Sequence, residues 1–270
     1  MRTLTISFSL KVLLLITIIC IFETGISYSQ WIPAKGKGGA IITLKYSEAN
    51  QKYDSTGKLV FLPLDGKYTN TEFNVYYGTG LSPKVGAYVK FGFAKKTFQN
   101  SLVNQSSFGI TNPSIGLIYQ VTSYPAPVSG FDIELVLPFY FPKNQQPALG
   151  SDYFGINASY LIGNGMHIFG MPSYYTAFVK YGFTGDPAGG GVVSLGGTLG
   201  SSFNRYTSWY VSAEYAKGLD PNIFSSTKIS GAIVQKFAKN LSVALGTEYI
   251  VSGRNVLTGP AVFLALYTNY

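Results

Sequence analysis

Asp132 and Glu134 stand two residues apart in "FDIELVLPFYF", a run that otherwise reads as pure core. On a β-strand such residues share a face about 6 to 7 Å apart, a separation near that of paired glycosidase carboxyls. That chemistry also needs one carboxyl of raised pKa and a sugar-shaped cleft. Nothing else in the sequence indicates them. The other reading is two acids that face water from one side of a strand.

His167 in "GNGMHIFG" is the only histidine. Outer membrane phospholipase sets histidine and serine two residues apart on one strand face. Here Phe169 holds that position and Ser173 is out of register, so the nucleophile is missing. His167 is expected at a strand end or turn near the periplasmic rim. Asp54-Ser-Thr-Gly57 and Asp65-Gly66 read as turns rather than as a calcium loop, because EF-hand ligand spacing is absent. The one cysteine, Cys20, lies in the first 29 residues, leaving no thiolate ligand, cysteine nucleophile or disulfide beyond them. The expectation is a protein that is not an enzyme and uses no cofactor and no metal.

The elements that position these groups follow from composition and period. Residues 1–29 read as an export signal: Arg2 and Lys11 are basic, 12–22 is apolar, and Ser27 and Ser29 are small residues before Gln30. The apolar run is too short to span a bilayer. Residues 30–270 then form the mature domain, with 18 basic and 11 acidic residues, a net of +7. Its lysines are scattered singly, and export argues against nucleic acid as a partner. Charged residues make up 12% of the chain, about half the usual share. Aromatics make up 16%. A soluble protein of that composition would be sticky; a membrane-embedded one would not.

No mature segment approaches the ~18 consecutive apolar residues of a membrane helix. A period of two recurs instead, broken by Gly, Pro, Asn, Asp and Ser clusters. It predicts twelve strands, at 39–47, 70–78, 84–94, 113–121, 131–140, 152–161, 173–183, 191–200, 208–217, 227–237, 241–251 and 260–270. Strands of about ten residues cross a bilayer when tilted ~45°. The fold class is therefore all-β, an up-and-down antiparallel transmembrane β-barrel of about 12 strands. Ile133, Leu135, Leu137 and Phe139 share one face, and both acids share the other. Slipping the register by one residue would turn the acids toward lipid, where a midplane charge costs up to ~2–4 kcal/mol. They are expected to point into the lumen.

The same alternation assigns Lys45, Lys84, Lys90, Lys180, Lys228 and Lys236 to the lumen, with Glu72, Asp132, Glu134, Glu214 and Glu248. Mixed signs in a narrow barrel either line a wet pore or pair and close it; the wet lumen is preferred. Inward Gly86, Gly92, Gly116, Gly155, Gly196 and Gly246 either leave space there or serve strand curvature. Outward aromatics form two rims, Tyr46, Phe93, Phe139, Tyr181 and Tyr249 against Tyr77, Tyr119, Tyr160, Tyr175, Trp209 and Tyr270, as girdles do at the two interfaces. The terminal alternation Val262, Leu264, Leu266, Tyr270 is similar to the C-terminal signal of bacterial outer-membrane barrels, which implies the barrel-assembly machinery as a partner. The link 122–130 is long for a periplasmic turn.

The stretches "QWIPAKGKGGAIITLKYS", "KYDSTGK" and "PLDGKYTNTEFNVYYGTGLSPKVG" resemble the outer-membrane family named for the meta pathway of phenol degradation. The matching elements are Trp31, Pro33, Lys35-Gly36-Lys37-Gly38, Tyr46, Tyr53-Asp54, Gly57, Asp65-Gly66, Tyr77-Gly78 and Gly80-Leu81. Beyond them only the architecture agrees. The resemblance implies a barrel that passes small, apolar or aromatic molecules, and no catalytic residues. Long-chain fatty acid transporters are larger and carry an N-terminal plug with an Asn-Pro-Ala element. This sequence shows neither, so fatty-acid transport is not implied.

The expected function is a passive channel or transporter for small solutes in the cell outer membrane, in contact with outer-membrane lipids. The alternatives are a non-conducting structural or surface-binding barrel and, third, an outer-membrane lipid hydrolase.

Overall fold

The computed structural model describes residues 32–123, 126–139, 146–185, 190–219 and 224–270. The export signal expected at 1–29 and Trp31 lie outside the described residues. Alternating apolar and polar residues, with β-branched and aromatic side chains on one face, favour extended chain over helix, and strands account for nearly all of the regular structure. Strand β1 (Gly38–Ala49) leads through two short strands, β2 (Gln51–Tyr53) and β3 (Leu59–Phe61), to β4 (Lys67–Ser82) and β5 (Val85–Gln99). Next come β6 (Asn104–Ile110), β7 (Ser114–Thr122), β8 (Val128–Val136), β9 (Gly155–Ile168) and β10 (Met171–Thr184). The chain continues through β11 (Val192–Ser202), β12 (Thr207–Gly218), β13 (Ser225–Ala238), β14 (Leu241–Arg254), the short β15 (Val256–Thr258) and β16 (Ala261–Asn269).

Every pairing among these strands is antiparallel, and β4 pairs with both β1 and β5 while β1 pairs with β16. The sheet therefore closes on itself, as hydrocarbon requires; among its described strands β6 alone is paired on one side only. β6 and β7 together make one stave: β6 pairs with the upper part of β5 and β7 with its lower part, with Thr111-Asn112-Pro113 between them. Pro113 has no amide hydrogen to give the ladder. The barrel thus has twelve staves, and β2, β3 and β15 form a separate three-stranded sheet over one end.

The far end carries both described termini and the short turns; we call it the terminus end and the other the loop end. The link between β7 and β8 is 123–127, shorter than the sequence suggested, because a register shift at Gln120/Thr122 lets the strands run on, with Thr122 Oγ1 and Ser129 Oγ 2.9 Å apart. β8 stops at Val136, ahead of Pro138, so Leu137 and Phe139 lie beyond the strand. β9 runs through Gly163, Asn164 and Gly165, past the expected stop at 161.

The convex face is apolar. Leu44, Phe91, Leu117, Ile133, Leu195, Val211 and Leu245 are all exposed, which in water would be costly and in lipid is the stable arrangement. Aromatics border this band. Tyr77 stacks on Tyr270 at 5.9 Å between ring centroids, and Phe131 packs on Tyr160 at 5.2 Å.

Candidate functional site

Directly opposed residues of an antiparallel ladder share a face, so the register carries Asp132 across to Ser159, Lys180 and Ser194. Contacts that jump over a strand show which face is concave, because side chains on a convex wall diverge. Tyr88 Oη on β5 donates to Asp132 on β8 at 2.8 Å, and Lys90 Nζ reaches Glu134 at 2.8 Å, both over β7. Lys45 on β1 meets Glu248 on β14 at 2.6 Å over β16. These groups share the interior.

Most of the charges are committed to the wall. Glu134 accepts from Ser114 Oγ at 2.6 Å and Asn157 Nδ2 at 3.0 Å as well as from Lys90. Lys228 pairs with Glu214 at 3.1 Å, directly across the β12–β13 ladder. Glu72 accepts from Asn70 Nδ2 at 2.6 Å and Asn74 Nδ2 at 3.4 Å. Lys180 lies in the row of Ser159 and Asp132, and Lys236 lies opposite Ser242 beside a bulge near the terminus end. Lys84 departs from the expectation: β4 runs to Ser82 and β5 starts at Val85, which puts Lys84 in the two-residue turn between them, exposed at the rim. Asp132 and Glu134 bond different partners, Tyr88 and Lys90.

The sequence left the role of the inward glycines open between free space and curvature. Several are covered by rings. Tyr88 opposes Gly116, Tyr174 opposes Gly200, Phe178 opposes Gly196 and Phe263 opposes Gly246 across their ladders. In each pair the ring lies where a Cβ on the glycine would be; a methyl on Gly196, for example, would sit 2.8 Å from Phe178 Cζ. Gly92 is covered by the Asn74 amide instead. Each ring is thereby drawn against the wall, away from the barrel axis. Tyr210 hydrogen-bonds Tyr267, and Tyr76 packs on Tyr88 at 5.2 Å, completing an aromatic tier in the terminus half. Alternation reveals that these residues face inward, but which ring meets which glycine depends on register between strands.

The chain ahead of β1 turns back into the terminus end. Ile32 is 1% exposed and lies against Gly86; a Cβ there would be 3.5 Å from Ile32 Cγ2. Gly36 donates to Gly80 O at 3.0 Å, and Gly80 donates to Lys37 O at 2.9 Å. A side chain at position 80 would strike the Pro33 and Ala34 carbonyls, so glycine there seats the segment.

Protein-family models give no match to this chain, and no curated protein matches it. Solved structures do. An outer membrane channel from Pseudomonas putida F1 is similar with a TM-score of 0.69 at 11% identity, over 91% of this chain and 100% of that one. The translocator domain of the autotransporter NalP from Neisseria meningitidis has a TM-score of 0.50 at 11% identity, over 90% of this chain and 92% of that. The transport unit of the autotransporter AIDA-I from Escherichia coli has a TM-score of 0.50 at 13% identity, over 91% and 93%. At such identities the likeness is one of fold. With the apolar convex face, it decides the location. The chain is an outer-membrane β-barrel.

In that barrel His167 is exposed at the end of β9, opposite Pro172, while Ser173 lies opposite Met166. The two side chains therefore take opposite faces of the wall. Ser173 Oγ bonds Ser201 Oγ at 2.9 Å and Met171 O at 3.0 Å. Phe169 is not on a strand face at all. With Gly170 it forms the hairpin tip, at φ 50° and 79°, and it is 96% exposed. Two positive φ angles match the turn that suits hairpin twist, usually filled by Asn-Gly.

Proposed function

We propose that this outer-membrane barrel is a passive channel or transporter for small apolar or aromatic solutes. The observation that carries the reading is the arrangement of rings on glycines. It lines the inner wall with flat aromatic faces while holding their bulk back from the axis. The ion pairs work in the same direction, since Lys45–Glu248, Lys90–Glu134 and Lys228–Glu214 cancel charge along the wall. A lumen so lined receives apolar and aromatic bodies at lower desolvation cost than one lined by free charges. The resemblance of the Trp31–Leu81 stretch to the family named for phenol degradation fits the same solute class. Assembly through the strand that ends at Tyr270, and contact with outer-membrane lipids along the convex face, belong to this reading.

A second reading, a non-conducting structural barrel, rests on the Ile32–Lys37 segment that occupies the terminus end. Single-channel recording in planar bilayers separates the two. Folded protein, checked by heat-modifiable migration in detergent gels, is expected to give discrete conductance steps. Silence from correctly folded protein would favour the structural barrel.

A further inference from the structure

Charge is segregated along the barrel axis. At the terminus end the described turns and strand ends carry Lys35, Lys37, Lys84, His167, Arg205, Lys236 and Lys239 and no Asp or Glu. The acid nearest this end, Asp132, lies within β8 and is tied to Tyr88. None of the ion pairs among the described residues involves any of these basic groups.

Several of them face the opening. Lys236 follows Val234, which packs in the inner alanine and tyrosine cluster, by one inward repeat. His167 stands one repeat beyond Gly165, which opposes Tyr174. Lys35 and Lys37 sit on the segment folded over Gly80. Between that segment and the wall lies a cavity of about 170 Å3, lined by Pro33, Ile41, Tyr76, Gly86, Ile118 and Tyr267 among others.

We infer that the terminus-end mouth is an anion-collecting vestibule, and that its ligand is a small carboxylate with an apolar or aromatic body. This rests on the channel reading and narrows its solute class. The ammonium groups of Lys35, Lys37 and Lys236 supply charge-assisted hydrogen bonds to the carboxylate. The aromatic and aliphatic lining takes the body. A mouth of one sign in low-dielectric walls raises the local concentration of counter-ions by about 10- to 1,000-fold.

The probe is benzoate, with benzylammonium as the control of opposite charge. In planar bilayers of neutral lipid under a potassium chloride gradient, the full barrel is expected to prefer chloride to potassium by about threefold or more. Lys35→Gln/Lys37→Gln/Lys236→Gln is expected to bring that ratio near one. In titration calorimetry on the detergent-folded barrel, benzoate binds and benzylammonium does not. The triple variant weakens benzoate at least about threefold, and added salt weakens it in the wild type.

A conducting barrel with no anion preference and no benzoate binding overturns the vestibule and leaves the channel standing. A silent barrel that binds benzoate removes the channel and leaves the vestibule. Preference lost in Arg205→Gln/Lys239→Gln but kept in the triple variant assigns the charge to phospholipid headgroups, and also overturns the inference.

Discussion

Replacing Gly116 by alanine places a methyl group where the ring of Tyr88 now lies. All three atoms nearest that methyl belong to Tyr88, with Cε1 at 2.6 Å and Cζ and Oη nearer still. The nearest atoms all belong to one side chain, so the ring must swing off the glycine. Crowding of this kind costs about 1–3 kcal/mol. The swing also carries the hydroxyl away from Asp132, to which it donates at 2.8 Å, and a hydrogen bond to a charged group contributes about 1.5–3 kcal/mol. The expected loss is therefore about 2.5–6 kcal/mol for one methyl group. Urea unfolding in lipid vesicles, followed by circular dichroism and by gel mobility, measures it. The control is the same substitution in a Tyr88→Ala background. With no ring to displace, Gly116→Ala should be neutral, or stabilising by about 0.4–1 kcal/mol through the unfolded chain. An equal loss in both backgrounds would refute the ring-on-glycine account, because the cost would then come from the β7 backbone.

Leu195 is 54% exposed on the convex face, and Leu195→Arg should destabilise the barrel in vesicles by about 2–4 kcal/mol if hydrocarbon covers it; a change below about 0.5 kcal/mol would mean that face is wet. In the loop between β2 and β3, Asp54 accepts from the Thr56 hydroxyl at 2.7 Å and from the Thr56 and Lys58 amides at 2.8 and 3.0 Å. The Thr56 hydroxyl, then the Lys58 amide, hold its pKa below the ordinary carboxylate value. The depressed value makes this contribution complete above the ordinary value and lost as pH falls through the folded one. Amide exchange at Thr56 and Lys58 should accelerate over that acid range, and Asp54→Asn should flatten the pH dependence.

Most of the wall was legible because period-two alternation is local. A segment such as Val85–Phe93 carries its own division into faces, and its strand was found to within a few residues at its start. The exceptions have physical causes. β2, β3 and β15 span three residues each, too few to display a period. Pro138 ends β8 early, and Gly163-Asn164-Gly165, which reads as a turn, is carried through β9 by its pairing with β10. Lys84 shares the parity of Gly86 and Tyr88, yet parity does not say where a strand stops. Tyr88 and Lys90, which bond Asp132 and Glu134, lie 44 positions away from them on β5, a relation fixed by register across two ladders and absent from either strand alone.

The three-stranded sheet over the loop end gives the barrel a latch. Gln51–Tyr53, from the first loop, pairs with Val256–Thr258, from the last, and Tyr53 Oη reaches Val251 O at 2.6 Å. These segments sit directly above the seam where β1 meets β16. The seam cannot unzip from that side without first breaking the latch. Nor can the first loop take its final shape until Val256–Thr258 has been made. Order at Tyr53 and Thr258 therefore reports that the cylinder has shut.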